Sequence, residues 1–161
     1  LQVKLICKRG DEGEDMNVLF FLTPKSEVAY IEADVTLRQA LEKLEANGYS
    51  ALPIVDKRGK YVGSVTEGDL LWYIKDHANL TLFDAEDVPL SMVTRNRSNL
   101  AVPINAKMED LWDKVLSQNF VPVTDDEETF IGIVTRRDVM MQLVRENRQV
   151  EATRKTIVST R

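Results

Sequence analysis

Ala51-Leu52-Pro53-Ile54-Val55-Asp56, followed by Tyr61-Val62-Gly63-Ser64-Val65-Thr66-Glu67-Gly68-Asp69-Leu70, decides the fold, because the chain says it twice. The second statement is Phe120-Val121-Pro122-Val123-Thr124-Asp125, then Phe130-Ile131-Gly132-Ile133-Val134-Thr135-Arg136-Arg137-Asp138-Val139. Pro53 and Pro122, Gly63 and Gly132, Thr66 and Thr135, and Asp69 and Asp138 are all 69 residues apart. One offset held across such unlike residue types marks an internal repeat.

The repeat extends upstream. Leu37, Ala40, Leu41 and Leu44 recur at helical spacing, and Met108, Leu111, Trp112 and Val115 repeat the stripe at an offset of 71. The difference between offsets predicts a shorter turn from helix to proline-bearing strand in the second copy. Each copy reads as β-α-β-β-α. In the first, Val28 to Ile31 is a strand, Asp34 or Thr36 caps a helix, and Asn47-Gly48 ends it. Ala51 to Val55 and Tyr61 to Val65 form a hairpin about the polar turn Lys57-Arg58-Gly59-Lys60. Glu67 to Asp76 is a second helix, with Leu70, Leu71 and Ile74 facing inward. The second copy runs through Leu100 to Ile104, Met108 to Ser117, Phe120 to Val123, Phe130 to Val134, and Arg136 to about Arg148. Val18 to Lys25 and Val88 to Arg95 look like matching lead-in elements.

A small sheet with helices on one face leaves the other face bare. The fold class is therefore α/β (α+β), two repeats packed with pseudo-twofold symmetry. The expected divisions are a flexible leader or non-native arm over 1–15, repeat one over 16–80, repeat two with its lead-in linker over 81–148, and a tail over 149–161. The tail reads as a helical extension.

The whole chain narrows the function classes. It has 161 residues, 43% hydrophobic, and a formal net charge of −5, which speaks against a nucleic-acid partner. No apolar run is long enough for membrane insertion, and no targeting segment is evident, so the expected location is cytoplasmic. Cys7 is the only cysteine and His77 the only histidine, which removes the usual metal clusters and nucleophile–base pairs. His77 reads as a surface residue, and Asp125-Asp126-Glu127-Glu128 as a solvated turn. Trp112 belongs to a core stripe, whereas Trp72 with Tyr73 is a candidate partner surface.

Chemistry concentrates at Thr66-x-x-Asp69 and Thr135-x-x-Asp138. Both fit a helix capping box, in which hydroxyl and carboxylate satisfy backbone N–H groups. The same turns also suit a ligand. Helix N-termini hold phosphate, and a carboxylate accepts hydrogen bonds from sugar hydroxyls. Arg136 and Arg137 stand where a cation opposes the helix dipole, a cost that a bound anion would offset. Glu67-Gly68 replaces them in the first copy, so the Asp138 cleft is expected to bind a phosphorylated ligand more tightly than the Asp69 cleft.

These strings, with Thr23-Pro24-Lys25, resemble the cystathionine-beta-synthase-type (CBS) domain family in its tandem arrangement, the Bateman module, over about Met16 to Arg148. The resemblance implies two units forming a disc with two clefts for adenosine ligands: AMP, ADP, ATP or cyclic di-AMP, with S-adenosylmethionine or NAD the less expected choices. It assigns ribose to Asp69 and Asp138 and phosphate to Thr66 and Thr135. It sets Tyr49 and Ser50 with Asp138, and Gln118 and Asn119 with Asp69. Ser64 and Ile133 would line the adenine side, and Lys25 and Arg95 would be further phosphate ligands. The implied function is a non-catalytic nucleotide sensor, a homodimer acting in trans on an enzyme or transporter. The alternative is a protein-interaction or structural module with vestigial clefts.

Overall fold

A computed structural model describes residues 17–77, 80–95 and 98–159. The leader, with Cys7, lies outside them. The elements are β1 (Thr23–Pro24), β2 (Ile31–Glu32), α1 (Leu37–Asn47), β3 (Ala51–Val55), β4 (Tyr61–Thr66), α2 (Glu67–Asp76), β5 (Val102–Pro103), α3 (Met108–Ser117), β6 (Phe120–Thr124), β7 (Phe130–Thr135) and α4 (Arg136–Ser159). The doubled β-α-β-β-α order matches the sequence reading. The last helix runs past Arg148 to Ser159, through the tail read as a helical extension.

The strands form two sheets, β2-β3-β4 and β1-β7-β6-β5. In each, a two-residue strand lies parallel to the proline-bearing strand, which pairs antiparallel with the next. Pro53 and Pro122 are tolerated here for a local reason. β2 meets β3 at Ile54 and Val55, and β5 meets β6 at Val123 and Thr124. The missing N–H falls before that pairing begins, so no bond to the parallel neighbour is lost.

The helices differ in how they end. Thr36 and Gln39 complete a capping box at the start of α1. At its end Gly48 sits at φ 63°, its N–H donating to Glu45 O while the Tyr49 N–H reaches Leu44 O, a Schellman arrangement. The second copy has lost that glycine with the shortened turn. The Arg136 side chain takes over there, its Nε donating to the carbonyls of Val115 at 2.9 Å and Gln118 at 3.2 Å.

The repeats join in two ways. At the hairpin tips, the Tyr61 N–H donates to Glu128 O and the Phe130 N–H to Gly59 O, flanking a bridge between Lys60 and Thr129. Each of these pairs maps onto the other at the repeat offset, so the pseudo-twofold axis passes between Lys60 and Thr129. Tyr61 stacks on Phe130 across it.

The second junction is an exchange of lead-ins. The first core holds Leu37, Ala40, Leu44, Leu52, Ile54, Val65 and Leu70, closed by Ala85, Leu90 and Val93 from the linker. The second holds Leu111, Val115, Val121, Val123, Val134 and Val139, closed by Val18 and Phe21 from before the first repeat. β1 pairs with β7, Thr23 opposite Ile133 and Pro24 opposite Gly132. Reciprocally, the Leu37 N–H bonds Val88 O and the Leu90 N–H bonds Val35 O. Burying a Val or Phe side chain contributes roughly 1.5–3 kcal/mol, so each core depends on the other repeat's lead-in.

One inward assignment fails. Leu71 is 57% exposed, because the narrow sheet buries only the Leu70 side of α2, with Tyr73 and Ile74 partly covered.

Candidate functional site

Both Thr-x-x-Asp turns stand where β4 and β7 run into α2 and α4. In the first, Asp69 Oδ2 accepts from the Thr66 N–H at 2.9 Å and its hydroxyl at 2.8 Å, and the Asp69 N–H returns a bond to Thr66 Oγ1 at 3.1 Å. In the second, the Thr135 hydroxyl donates to Asp138 Oδ2 at 2.5 Å and accepts from the Asp138 N–H at 3.1 Å. The capping box read from the sequence is complete in the first turn; the second shows its threonine half, with the Asp138 carboxylate bonded to the Thr135 hydroxyl. The turns differ in exposure. Asp69 is buried, at 4% exposed, and has a further interaction, whereas Asp138 is only half-buried.

Arg136 and Arg137 separate in role. Arg136 is half-buried and directs Nε to the end of α3. A guanidinium at a helix C-terminus is favourable, so the cost assigned to Arg136 from sequence is offset within the fold. Glu67, its counterpart, opens α2, where a carboxylate suits the dipole and Gly48 already closes α1. Arg137 is exposed beside Asp138.

The backbones of Tyr49, Ser50, Gln118 and Asn119 are bonded within their own repeats. The Glu67 N–H donates to Ser50 O at 3.0 Å, and the Arg136 N–H to Asn119 O at 2.9 Å. Antiparallel register dictates this, since Ala51 faces Thr66 and Phe120 faces Thr135. Tyr49 and Ser50 therefore adjoin the Asp69 turn, and Asn119 the turn of Asp138. Gln118 binds linker residue Leu100 through its side chain and Arg136 through its carbonyl. Ser64 is fully buried, and Ile133 is half-buried opposite Thr23.

The further phosphate candidates, Lys25 and Arg95, have contacts of their own. Pro24 pairs with Gly132, which sets Lys25 beside Ile131 at the far end of β7, about 13 Å along the strand from Thr135. The Lys25 ammonium rests over the Tyr30 ring, 5.1 Å from its centroid. Arg95 Nη1 donates to Val62 O at 3.3 Å. A hollow of about 420 Å³ lies at the start of α3, beside Asn105, Lys107, Asp110 and Lys114, while Arg136 works at that helix's other end.

Trp112 packs edge-on against Phe21 at 5.9 Å, in the second core. His77 is exposed and stacks on Tyr73. Trp72 is 50% exposed. Among the described residues no group of three or more His, Cys, Asp or Glu could hold a metal ion, and no helix is long and apolar enough to cross a membrane. Sequence reasoning missed Ser98 and Asn99, which bond Ser64 directly. Their only signal was position, a few residues before β5.

Comparison with known proteins places this geometry. The CBS domain model matches residues 21–76 and 86–145. The chain is 26% identical over 144 residues to cyclic di-AMP receptor B of Bacillus subtilis, covering 86% of this chain and 94% of that protein. It is 29% identical over 120 residues to the A-adding tRNA nucleotidyltransferase of Aquifex aeolicus, covering 73% of this chain but 13% of that enzyme. The crystal structure of Listeria monocytogenes CbpB in complex with c-di-AMP superposes with a TM-score of 0.71 at 25% identity, covering 84% of this chain and 98% of that one. With both repeats matched, and with their sheets and capped turns laid out as described, the chain belongs to the CBS domain family, as a tandem pair.

Proposed function

We propose that this CBS pair is a non-catalytic regulatory module that binds an adenosine-containing nucleotide at the Asp138 turn. The observation that carries the reading is the half-buried Asp138 carboxylate at a strand-to-helix junction. Thr135 holds Oδ2, and Oδ1 accepts no hydrogen bond among the described residues. A ribose diol supplies the donors such a group lacks. Arg137, exposed and next to Asp138 in the chain, is the cation we assign to a phosphate. The similarity to a protein named as a cyclic di-AMP receptor supports that ligand class, with AMP, ADP and ATP as its relatives.

The test is thermal unfolding of nucleotide-stripped protein with AMP, ATP and cyclic di-AMP. At least one should raise the Tm, by an amount equivalent to about 2.7 kcal/mol at a hundred times its Kd. Asp138→Ala should remove the rise, since a charge-assisted bond contributes roughly 1.5–3 kcal/mol. No rise with any of the three would favour a protein-interaction module.

We also propose that the module pairs with a second copy. Leu71 and Trp72 on α2, and Met140 and Met141 on α4, are equivalent positions at the repeat offset, and all four are exposed. Like patches on both repeats form the self-complementary surface a twofold dimer requires. Sedimentation of the Trp72→Glu, Met141→Glu double variant as a monomer, against a dimeric parent, is the expected outcome. Control in trans of an enzyme or transporter would be exerted through that assembly.

A further inference from the structure

Helix α1 ends on Gly48 and its counterpart α3 on Gln118, so only the second of these caps has a side chain. That side chain clasps the linker. Gln118 Oε1 accepts the Leu100 N–H at 2.8 Å, and Gln118 Nε2 donates to Leu100 O at 3.1 Å and to Phe120 O at 3.3 Å. One side-chain amide thus holds both backbone groups of Leu100, as a paired strand would. The Leu100 side chain is 63% exposed, so hydrogen bonds, not apolar burial, keep this segment in place.

The clasp is joined to both repeats. Towards the second, the Gln118 carbonyl accepts Arg136 Nε at 3.2 Å and the Asn119 carbonyl accepts the Arg136 N–H at 2.9 Å, and Arg136 is the first residue of α4. Towards the first, the Asn99 N–H donates to Ser64 Oγ at 2.9 Å, and the Ser64 N–H donates to Ser98 Oγ at 3.0 Å. The Tyr61 hydroxyl donates to Asn99 O at 2.6 Å, and Asn99 Nδ2 donates to Phe120 O at 2.8 Å. Ser64 is fully buried on β4, two residues before Thr66 caps α2. A continuous run of hydrogen bonds therefore leads from the start of α4, through Gln118 and Ser98–Leu100, to the strand that feeds α2. The first repeat has no matching clasp at its cap. Asn47, beside Gly48, turns its side chain back onto Lys43 O within α1, at 2.7 Å.

We infer that Gln118 is a relay coupling the start of α4 to β4 and the start of α2. Buried polar groups are costly to leave unpaired, so a displacement of Arg136 that pulls on Gln118 changes the hold of Ser98 and Asn99 on Ser64. The coupling is a property of the chain itself and does not depend on what binds at either turn.

Amide hydrogen exchange of the full chain, with no ligand added, tests the relay as a double-mutant cycle. Arg136→Met removes the donor to the Gln118 carbonyl. With Gln118 intact it should speed exchange of the Ser64 and Asn99 amides by about threefold or more, the size expected when a hydrogen bond is weakened. The Ala33 and Leu37 amides, which bond Val55 O and Val88 O, report general loosening of the first repeat and should change less than about 1.5-fold. In a Gln118→Ala background, Arg136→Met should leave Ser64 and Asn99 within about 1.5-fold, although the hairpin-tip bonds of Tyr61 and Phe130 are still in place. Gln118→Glu keeps the side-chain length and loses both donors; it takes the place of Gln118→Ala, with the same expectation, should that variant fail to fold. No response at Ser64 with Gln118 intact, an equal response at Ala33 and Leu37, or a response that persists in the Gln118 variants overturns the relay, and none of these bears on nucleotide binding.

Discussion

Gly132 shows how much one residue carries. A Cβ there would lie 2.1 Å from the Thr23 carbonyl oxygen and 3.1 Å from Pro24 Cα, so backbone, not a yielding side chain, blocks it. The absence of a side chain is what lets β1 pair with β7. At the equivalent Gly63 the near atoms are the ends of Arg95 and Ser98, at 2.5 and 2.8 Å. Those can swing, although φ of 141° still disfavours a side chain. We predict that Gly132→Ala destabilises by about 3 kcal/mol and releases residues 17–24 to protease, and that Gly63→Ala costs less in the same denaturant titration. Arg136 supports a second prediction. Arg136→Met keeps the alkyl stem and removes the donors to Val115 and Gln118. It should cost about 1–2 kcal/mol in nucleotide-free protein. An unchanged midpoint would return Arg136 to a purely ligand-facing role.

At the scale of elements, the two hairpin turns are copies in detail. Asp56 Oδ1 accepts the N–H groups of Arg58 and Lys60, and Asp125 Oδ1 those of Glu127 and Thr129. Backbone donation, from Lys60 and from Thr129, is the main cause holding each carboxyl below the usual aspartate range. A depressed folded pKa gives stability that is present above the unfolded value and lost as pH falls through the folded one. The acid limb, below about pH 4, should therefore flatten in the Asp56→Asn, Asp125→Asn double variant, followed by thermal unfolding across pH. These elements were also the most legible in the sequence. The Pro-to-Asp strings, the helix stripes and the capping Thr-x-x-Asp fix strands, helices and turns because each is a local pattern with a local cause. Leu71 was misread because helical spacing marks an apolar residue without saying how wide the covering sheet is. That Ser50 and Asn119 each bond the helix start of their own repeat follows from antiparallel register, a relation between strands that no single stretch encodes. That Arg136 bonds a helix end about twenty residues away could not be read from its own turn. The role of Ser98 and Asn99 was invisible, since a serine and an asparagine in a linker look like any polar connector.

For the molecule as a whole, the exchanged lead-ins make the repeats mutually dependent. Val18 is fully buried and Phe21 is 7% exposed, both in the core of the second repeat. Phe21→Ala should cost about 3–5 kcal/mol, since it empties space beside Trp112 and Val115. Exchange measurements should show the loss in α3, β6 and β7 before α1 and β3. A variant that loosened both halves equally would argue against two separable cores.

Pairing Thr23 with Ile133 joins positions about 110 residues apart in the chain. Contacts of such long separation form late and slow the search for the native state. During synthesis, Val18 and Phe21 are made well before the strand that will shelter them. A nascent polypeptide halted short of residue 130 carries both without a home, and there a chaperone would find its grip.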